Sequence, residues 1–322
     1  MNKDITIIRS PVCNLSSLGW LKVFKEYYFK IIGLDIREFL SIYKHVDFFY
    51  IIPSVKEKQK LQETFLTLIE KHKVKWLILG VEEEIKLLLE IENDINNLGA
   101  KFFHPPLETM KIITDKYSLF KKLSNKVLLP DTFKLSEIKD FNVINNYSGF
   151  ILKPTKGRGS TGVKYISSLK ELSDFECDKY DYIVQSYIIG DEYSVDVLFD
   201  MNGHLLNAIP RKRILVESGI SIITETIKDY DLIELCKEIG RELFFRGCLN
   251  FQFIKKNDLY YLIDINPRFG GGSIISFYSS RSFRKNLISL LTCKNKFTIN
   301  FNDVKPIRME RYFLEEFIGF KK

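Results

Sequence analysis

No Cys-x-x-Cys pair occurs among the five cysteines (Cys13, Cys177, Cys236, Cys248 and Cys293), and the four histidines are equally dispersed. Structural zinc needs clustered thiolate and imidazole ligands, and a disulfide framework needs closely spaced cysteines, so neither is expected here. Long apolar runs are also missing: a stretch such as Trp76 to Gly80 falls far short of the ~18 residues of a membrane-spanning helix. The N-terminus "MNKDITIIRS" carries an acid and lacks the apolar centre of a signal peptide. The expectation is a cytoplasmic chain with no membrane partner. There is no low-complexity tract and no internal repeat. A net charge of +7 could suggest nucleic acid, but the lysines alternate with acids through every segment instead of clustering on one face. Nucleic acid is therefore not expected as a partner.

What is present is an ordinary globular composition, 45% hydrophobic and 28% charged over 322 residues, long enough for two or three lobes. The first hundred residues run "ITII", "FFYIIP", a helix near Lys56 to His72, "WLILG", a helix near Glu82 to Asn97, and "KFFHP". Strand and helix in this rhythm predict a parallel sheet covered by helices, an α/β lobe over residues 1–105. The turn after the first strand, "RSPVCNLSS", has no glycine fingerprint, so no dinucleotide is assigned there. Pro105-Pro106 ends regular structure and marks the first boundary. A helix "TDKYSLFKKL" follows with Thr114 as the expected N-cap, and Pro130 leads into the strands "TFKL", "FILKP" and "VKYI". Later strands are "YIVQSYI", "EYSVDVLF", "HLLNAIP", "GCLNFQFI" and "LYYLIDINP", with a helix from about Asp229 to Phe245 among them. This divides the remainder into a small lobe over 106–187 and a C-terminal lobe over 188–322.

The stretch "FILKPTKGRGSTGVKYI", Phe150 to Ile166, sets three glycines, basic residues and hydroxyls between two strands. It is not a P-loop, which ends in Gly-Lys-Ser/Thr and opens a helix, whereas Lys153 precedes the glycines here. Gly157, Gly159 and Gly162 let the backbone approach a phosphate, Ser160 and Thr161 offer hydroxyls, and Lys156 and Arg158 offer charge. Taken alone, the stretch reads equally well as a solvated hairpin turn.

In "LNFQFI" strict alternation puts Asn250, Gln252 and Ile254 on one face. In "LIDINPRF" it puts Leu262, Asp264 and Asn266 on one face. Converging, Gln252, Asp264 and Asn266 make an all-oxygen cluster suited to Mg²⁺ shared between protein and nucleotide phosphates. A polar stripe on a half-exposed hairpin is the plainer reading of the same residues.

The ordered set Asp115-Lys116, "ILKPTKGRGSTGV", "QSYIIGDEYSVD", "GCLNFQFI" and "YYLIDINPRFGGGS" resembles the ATP-grasp superfamily, with the branch of carbamoyl phosphate synthetase large subunit and biotin carboxylase as its nearest likeness. The resemblance runs from about Asp115 to Ser273 and implies an N-terminal parallel-sheet lobe followed by two α+β lobes enclosing a nucleotide. It implies that Lys116 and Lys153 contact ATP phosphates beneath the loop of Gly157, Gly159, Ser160 and Gly162. The run Gln185, Ser186, Tyr187, Ile188 matches the linker whose backbone reads the adenine edge, and Glu192 matches the acid on the ribose hydroxyls. Gln252, Asp264 and Asn266 fall on the positions that bridge Mg²⁺ or Mn²⁺ to the phosphates, and Arg268 falls beside the transferred phosphoryl group. The family usually has Glu where Asp264 stands, which pulls the carboxylate back by about an ångström against a Mg–O distance of roughly 2.1 Å. Arg211 and Arg213 lie where relatives place basic substrate contacts, although a solvated turn fits "IPRKRILVESG" as well.

The implied activity is an ADP-forming ligase, in which a small carboxylate attacks the γ-phosphate of ATP and an amine then displaces phosphate from the acyl phosphate. Such chemistry relies on positioning and charge neutralisation, so the lack of a visible Ser-His-Asp or Cys-His set is consistent with it. The alternatives are a stand-alone carbamoyl phosphate synthetase-like enzyme activating bicarbonate, and an ATP-binding protein without turnover. The acid, the amine and the oligomeric state are not readable from the sequence.

Overall fold

The structure is a computed structural model that describes residues 5–138, 149–157, 162–173, 181–312 and 315–319. It contains three sheets among these residues. The first is parallel, in the order β3-β2-β1-β4-β5, from β1 (Thr6–Ser10), β2 (Lys30–Asp35), β3 (Phe48–Ile51), β4 (Val74–Leu79) and β5 (Lys101–Phe102). Helices α1 (Ser17–Glu26), α2 (Lys58–His72), α3 (Glu82–Leu89) and α4 (Glu92–Asn97) connect and cover it. Sequence reading overlooked α1 and β2, and took α3 and α4 as one helix. The chain breaks at Glu90 and Ile91, where Ile91 leaves helical geometry before α4 begins.

Pro106 stands as N-cap of α5 (Leu107–Ile113), where its missing N–H costs nothing. The next helix, α6 (Lys116–Leu123), is capped by Asp115 and not by Thr114: the Asp115 carboxylate accepts from Ser118 N at 2.8 Å, while Thr114 closes α5. The second sheet is antiparallel, in the order β6-β9-β7-β8, from β6 (Thr132–Lys134), β7 (Phe150–Pro154), β8 (Lys164–Ile166) and β9 (Tyr182–Ser186). The short helix α7 (Leu169–Ser173) follows β8. Strands β7 and β8 form the expected hairpin, with Phe150 opposite Ile166. Arg158, Gly159, Ser160 and Thr161, between these strands in sequence, lie outside the described residues.

The third sheet runs β14-β13-β10-β11-β12-β15, from β10 (Asp191–Phe199), β11 (Leu205–Glu217), β12 (Ile220–Thr226), β13 (Gly247–Lys256), β14 (Leu259–Asn266) and β15 (Arg308–Glu310). Helix α8 (Tyr230–Glu242) connects β12 to β13, and α9 (Ile274–Ser279) and α10 (Arg281–Leu291) follow β14. One apolar core runs from Ile8, Leu77 and Phe102 of the first sheet to Val195, Phe251 and Leu262 of the third, with Met110 and Ile113 of α5 in it. The parallel lobe and the third sheet are thus packed through continuous buried surface. No helix among the described residues is long and apolar enough to cross a membrane.

The β13–β14 hairpin carries the feature that matters most for the site. Asn257 (φ 48°) and Asp258 (φ 63°) make a two-residue turn with both φ values positive, the geometry that matches strand twist and fixes register. From that turn Phe253 pairs with Leu262, yet Gln252 pairs with Asp264, so Ile263 is an extra residue in β14. This corrects strict alternation: Leu262 is in the core at 1% exposure, on the face opposite Asp264. Without the bulge, Asp264 and Asn266 would share the core face with Leu262.

Candidate functional site

Between the second and third sheets lies a cavity of about 290 Å³. Its lining draws on α6, β7, β9, the linker after β9, β10, β13 and β14. Ten of the residues singled out from sequence line it: Lys116, Lys153, Gly157, Gln185, Ser186, Tyr187, Ile188, Glu192, Gln252 and Asp264. The apolar walls come from Ile151, Val163, Ile254 and Ile263; alternation put Ile254 on the face of Gln252 but marked none of the four as a site residue. The same signal was available for Ile151, two residues from Lys153 in β7.

Lys116 opens α6, and its Nζ donates to Gly157 O at 2.9 Å, so the lysine touches the glycine-rich segment directly. Lys116 N also donates to Thr155 O at 2.9 Å. Lys153, on β7, is nearly buried, and burial lowers its pKa to about 8; Asp264 opposes the shift and Lys116 adds to it. A buried cation beside a second cation is matched by an anionic ligand. Gly162 (φ 74°) does not line the cavity; a Cβ there would meet Pro154 Cγ at 2.9 Å, so it serves the turn. Gly159 and Ser160 lie outside the described residues.

The linker is anchored by its backbone. Ser186 N donates to Asp131 O at 2.9 Å and Tyr187 N to Gly149 O at 3.0 Å, while Gln185 Nε2 donates to Thr132 Oγ1 at 2.8 Å. Glu192 Oε2 is 3.0 Å from Arg213 Nη1, which holds the carboxylate at the cavity wall. Arg213 is therefore bound to a cavity residue and is not part of a solvated turn. Arg211 is not free to contact a substrate: it is 2% exposed, and its guanidinium bonds Asp196 and Ser221.

On the cavity face of the third sheet, registered neighbours form rows. Asp264, Gln252, Ser194 and Arg211 lie side by side across β14, β13, β10 and β11, and Asn266, Asn250 and Asp196 form the next row. Asn266 Nδ2 donates to Asp264 Oδ2 at 3.3 Å, and Arg268 Nη2 donates to Asn266 Oδ1 at 3.3 Å. Asn266 and Arg268 are thus linked to Asp264 by side-chain hydrogen bonds but do not line the cavity. Asp196, an acid inside the apolar run "EYSVDVLF", was missed by sequence reading although its setting was the signal.

Among the described residues no group of three or more His, Cys, Asp or Glu side chains could hold a metal ion. The donors at hand are one carboxylate and two amides on paired strands. That set fits a hard cation such as Mg²⁺, which keeps waters and shares phosphate ligands, and does not fit an all-protein cage.

A sequence model for the family described as "ATP-grasp in the biosynthetic pathway with Ter operon" matches residues 178–310. The chain is 26% identical over 202 residues to the carbamoyl phosphate synthase large chain of Agathobacter rectalis, covering 56% of this chain and 18% of that one. It therefore spans about a fifth of the length of that relative. It is 21% identical over 243 residues to the tyramine–L-glutamate ligase of Methanocaldococcus jannaschii, covering 74% of this chain and 70% of the ligase. The biotin carboxylase–β-γ-ATP complex from Campylobacter jejuni superposes with a TM-score of 0.71 at 18% identity, over 93% of this chain and 73% of that one. The three-sheet architecture, the order of the segments around the cavity and these likenesses agree: the chain has the ATP-grasp fold and is similar in sequence to the carbamoyl phosphate synthase branch.

Proposed function

We propose that this chain is an ATP- and Mg²⁺-dependent, ADP-forming ligase that joins a small carboxylate to an amine through an acyl phosphate. The observation that carries the reading is the single cavity in which two lysines face a carboxylate and an amide from the opposite sheet, beside an apolar slot and an anchored linker. The similarity to tyramine–L-glutamate ligase supports the carboxylate–amine reaction class.

In this reading the adenine lies among Ile151, Ile188, Ile254 and Ile263, its edge met by the backbone of Gln185 to Ile188, and Glu192 accepts from the ribose hydroxyls. Lys116 and Lys153 neutralise phosphate charge. Such contacts gain strength in a water-poor site, where fixed donors need no reorganisation as charge moves. Gln252, Asp264 and Asn266 would hold Mg²⁺, which when bound neutralises phosphate charge and orients the γ-phosphoryl group. Arg268, joined to Asn266, would in this reading stabilise the transferred group. The lobes follow the divisions 1–105, 106–187 and 188–322.

The test is trapping. With ATP, Mg²⁺ and pooled carboxylates, hydroxylamine should replace the amine and give a hydroxamate with stoichiometric ADP and phosphate. AMP and pyrophosphate in their place would refute attack at the γ-phosphate. ADP without hydroxamate, across several confirmed acids, would point to a kinase whose phosphorylated product is final.

A further inference from the structure

The polar rows behind the cavity have a direction, and it is set at one buried end. Asp196 is 0% exposed, and its carboxylate only accepts hydrogen bonds. It takes them from Arg211 Nε at 2.9 Å and Nη2 at 3.4 Å, from Ser276 Oγ at 2.7 Å, and from Asn250 Nδ2 at 2.8 Å. An amide that gives its NH₂ to Asp196 must turn its oxygen away. Asn250 Oδ1 accordingly faces Gln252, and the Gln252 group that meets it is Nε2, at 3.4 Å. That leaves Oε1 as the atom Gln252 offers to the cavity it lines.

We infer that Asp196 is a positioning residue: acting through Asn250, it fixes the polarity of the Gln252 amide so that an oxygen, and not an NH₂, meets the cation. The cation rests on the function proposed above; the amide polarity rests on the hydrogen bonds alone. A reversed amide would point hydrogens at Mg²⁺ and remove a ligand. Shape alone does not set the Gln252 orientation, because an amide is nearly symmetric; among the described residues its side-chain hydrogen bond is the one to Asn250. The Asp196–Arg211 pair thus orients the metal side of the site without touching it, as outer partners of ligands commonly do.

The inference is tested by two measurements. The first is a thermal-unfolding cycle without metal or nucleotide, combining Asp196→Asn with Gln252→Glu. In the wild-type background Glu at 252 sets a carboxylate oxygen against Asn250 Oδ1 and should lower Tm. In the Asp196→Asn background Asn250 can turn over and donate to that carboxylate, so the same substitution should cost clearly less. Additive losses would overturn the polarity argument. The second is calorimetric titration of ADP with and without Mg²⁺. Mg²⁺ should tighten ADP binding by wild type, and Asp196→Asn should lose about tenfold of that gain while keeping metal-free binding. Retention of the full gain would overturn the proposal. Failure of wild type to bind ADP at all would instead remove the nucleotide reading, and the cation role with it. If Asp196→Asn does not fold, Asn250→Leu keeps the Asp196–Arg211 pair and breaks only the relay. It should show the same loss, and adding Gln252→Glu should restore the gain, since a carboxylate offers oxygen in either orientation. No restoration would mean that Asn250 serves packing only.

Discussion

The His104 ring joins the N-terminal sheet to Pro267, the residue immediately after β14. Leu79 N, at the end of β4, donates to His104 Nε2 at 2.8 Å, so the ring proton is on Nδ1, which donates to Pro267 O at 2.8 Å. Arg246 Nε adds a bond to His104 O at 2.6 Å. One neutral imidazole therefore ties the parallel lobe to the turn that carries Arg268.

This tie predicts acid sensitivity. Burial, with Arg9 and Arg246 nearby, lowers the His104 pKa from 6.5 to about 3, against the opposing effect of the Pro267 carbonyl. The unfolded chain takes up this proton near pH 6.5 and the native chain near 3, so stability from this group is complete above 6.5 and is lost as pH falls between the two. The slope is about 1.4 kcal/mol per pH unit for one proton. Denaturant titrations from pH 6.5 to 4 should give a steeper pH slope for wild type than for His104→Ala, by close to one proton. Equal slopes would show that His104 titrates normally.

Lys153 predicts a pH dependence of the opposite kind. Burial holds its pKa near 8, and bound phosphates would raise it, so nucleotide binding takes up a proton above that pH. ATP affinity should fall as pH rises beyond 8, approaching tenfold per unit, and Lys153→Arg should flatten the decline. In the free protein the sign reverses: native Lys153 binds its proton more weakly than the unfolded chain, so its share of stability rises from pH 8 towards 10.5. At neutral pH, ATP at a hundred times its Kd should stabilise wild type by about 2.7 kcal/mol, and Lys153→Met should reduce that protection. A melting curve unmoved by millimolar ATP and Mg²⁺ would contradict the site.

Glu192 offers a test by ligand editing. If its carboxylate, held by Arg213 at 3.0 Å, accepts from the ribose, then wild type should prefer ATP over its deoxyribose analogues. Glu192→Ala should bind both equally, losing roughly 1.5–3 kcal/mol for ATP, the scale of hydrogen bonds to a charged group. Equal binding of ATP and its analogues by wild type would place the ribose elsewhere.

Asp264 is the one formal negative charge among Gln252, Asp264 and Asn266. Asp264→Asn preserves shape and should abolish Mg²⁺-dependent ADP release while leaving the unfolding midpoint within a few degrees of wild type. Near-normal turnover would move the metal away from β14.

The glycines after β14 make a packing prediction. A Cβ on Gly272 would stand 2.8 Å from Arg211 Nη1, and one on Gly270 would stand 2.8 Å from Asn250 Cγ. Both neighbours are buried and bonded, so neither can give way cheaply. Gly272→Ala should destabilise by about 1–3 kcal/mol, measured by denaturant unfolding. A neutral result would mean that Arg211 has room to shift.

By itself the sequence determined the kinds of element and their order, because alternation and helical periodicity are local properties of the chain. The parallel lobe, the β7–β8 hairpin flanking the glycines and the paired strands "GCLNFQFI" and "LYYLIDINP" were all legible for that reason. Lys116, Lys153, Glu192, Gln252 and Asp264 were legible as candidates because their types and spacing matched a known pattern. Three matters were decided only by the tertiary structure. Strand β2, "KIIGLD", carries Gly33 and no alternation, so its local signal is weak; its place between β1 and β3 comes from burial on both faces. Arg211 looked like a substrate contact until the fold placed Asp196 beneath it and the glycine segment Gly270–Gly272 over it, because ion pairing between distant residues leaves no local trace. The direction in which Asp264 points was beyond a period-of-two reading, since the bulge at Ile263 reverses the faces of every residue after it. That reversal follows from a conflict between the two-residue turn, which fixes the register at Leu259, and the core, which claims Tyr260, Leu262 and Ile265. One extra residue in β14 satisfies both constraints and carries the carboxylate into the cavity.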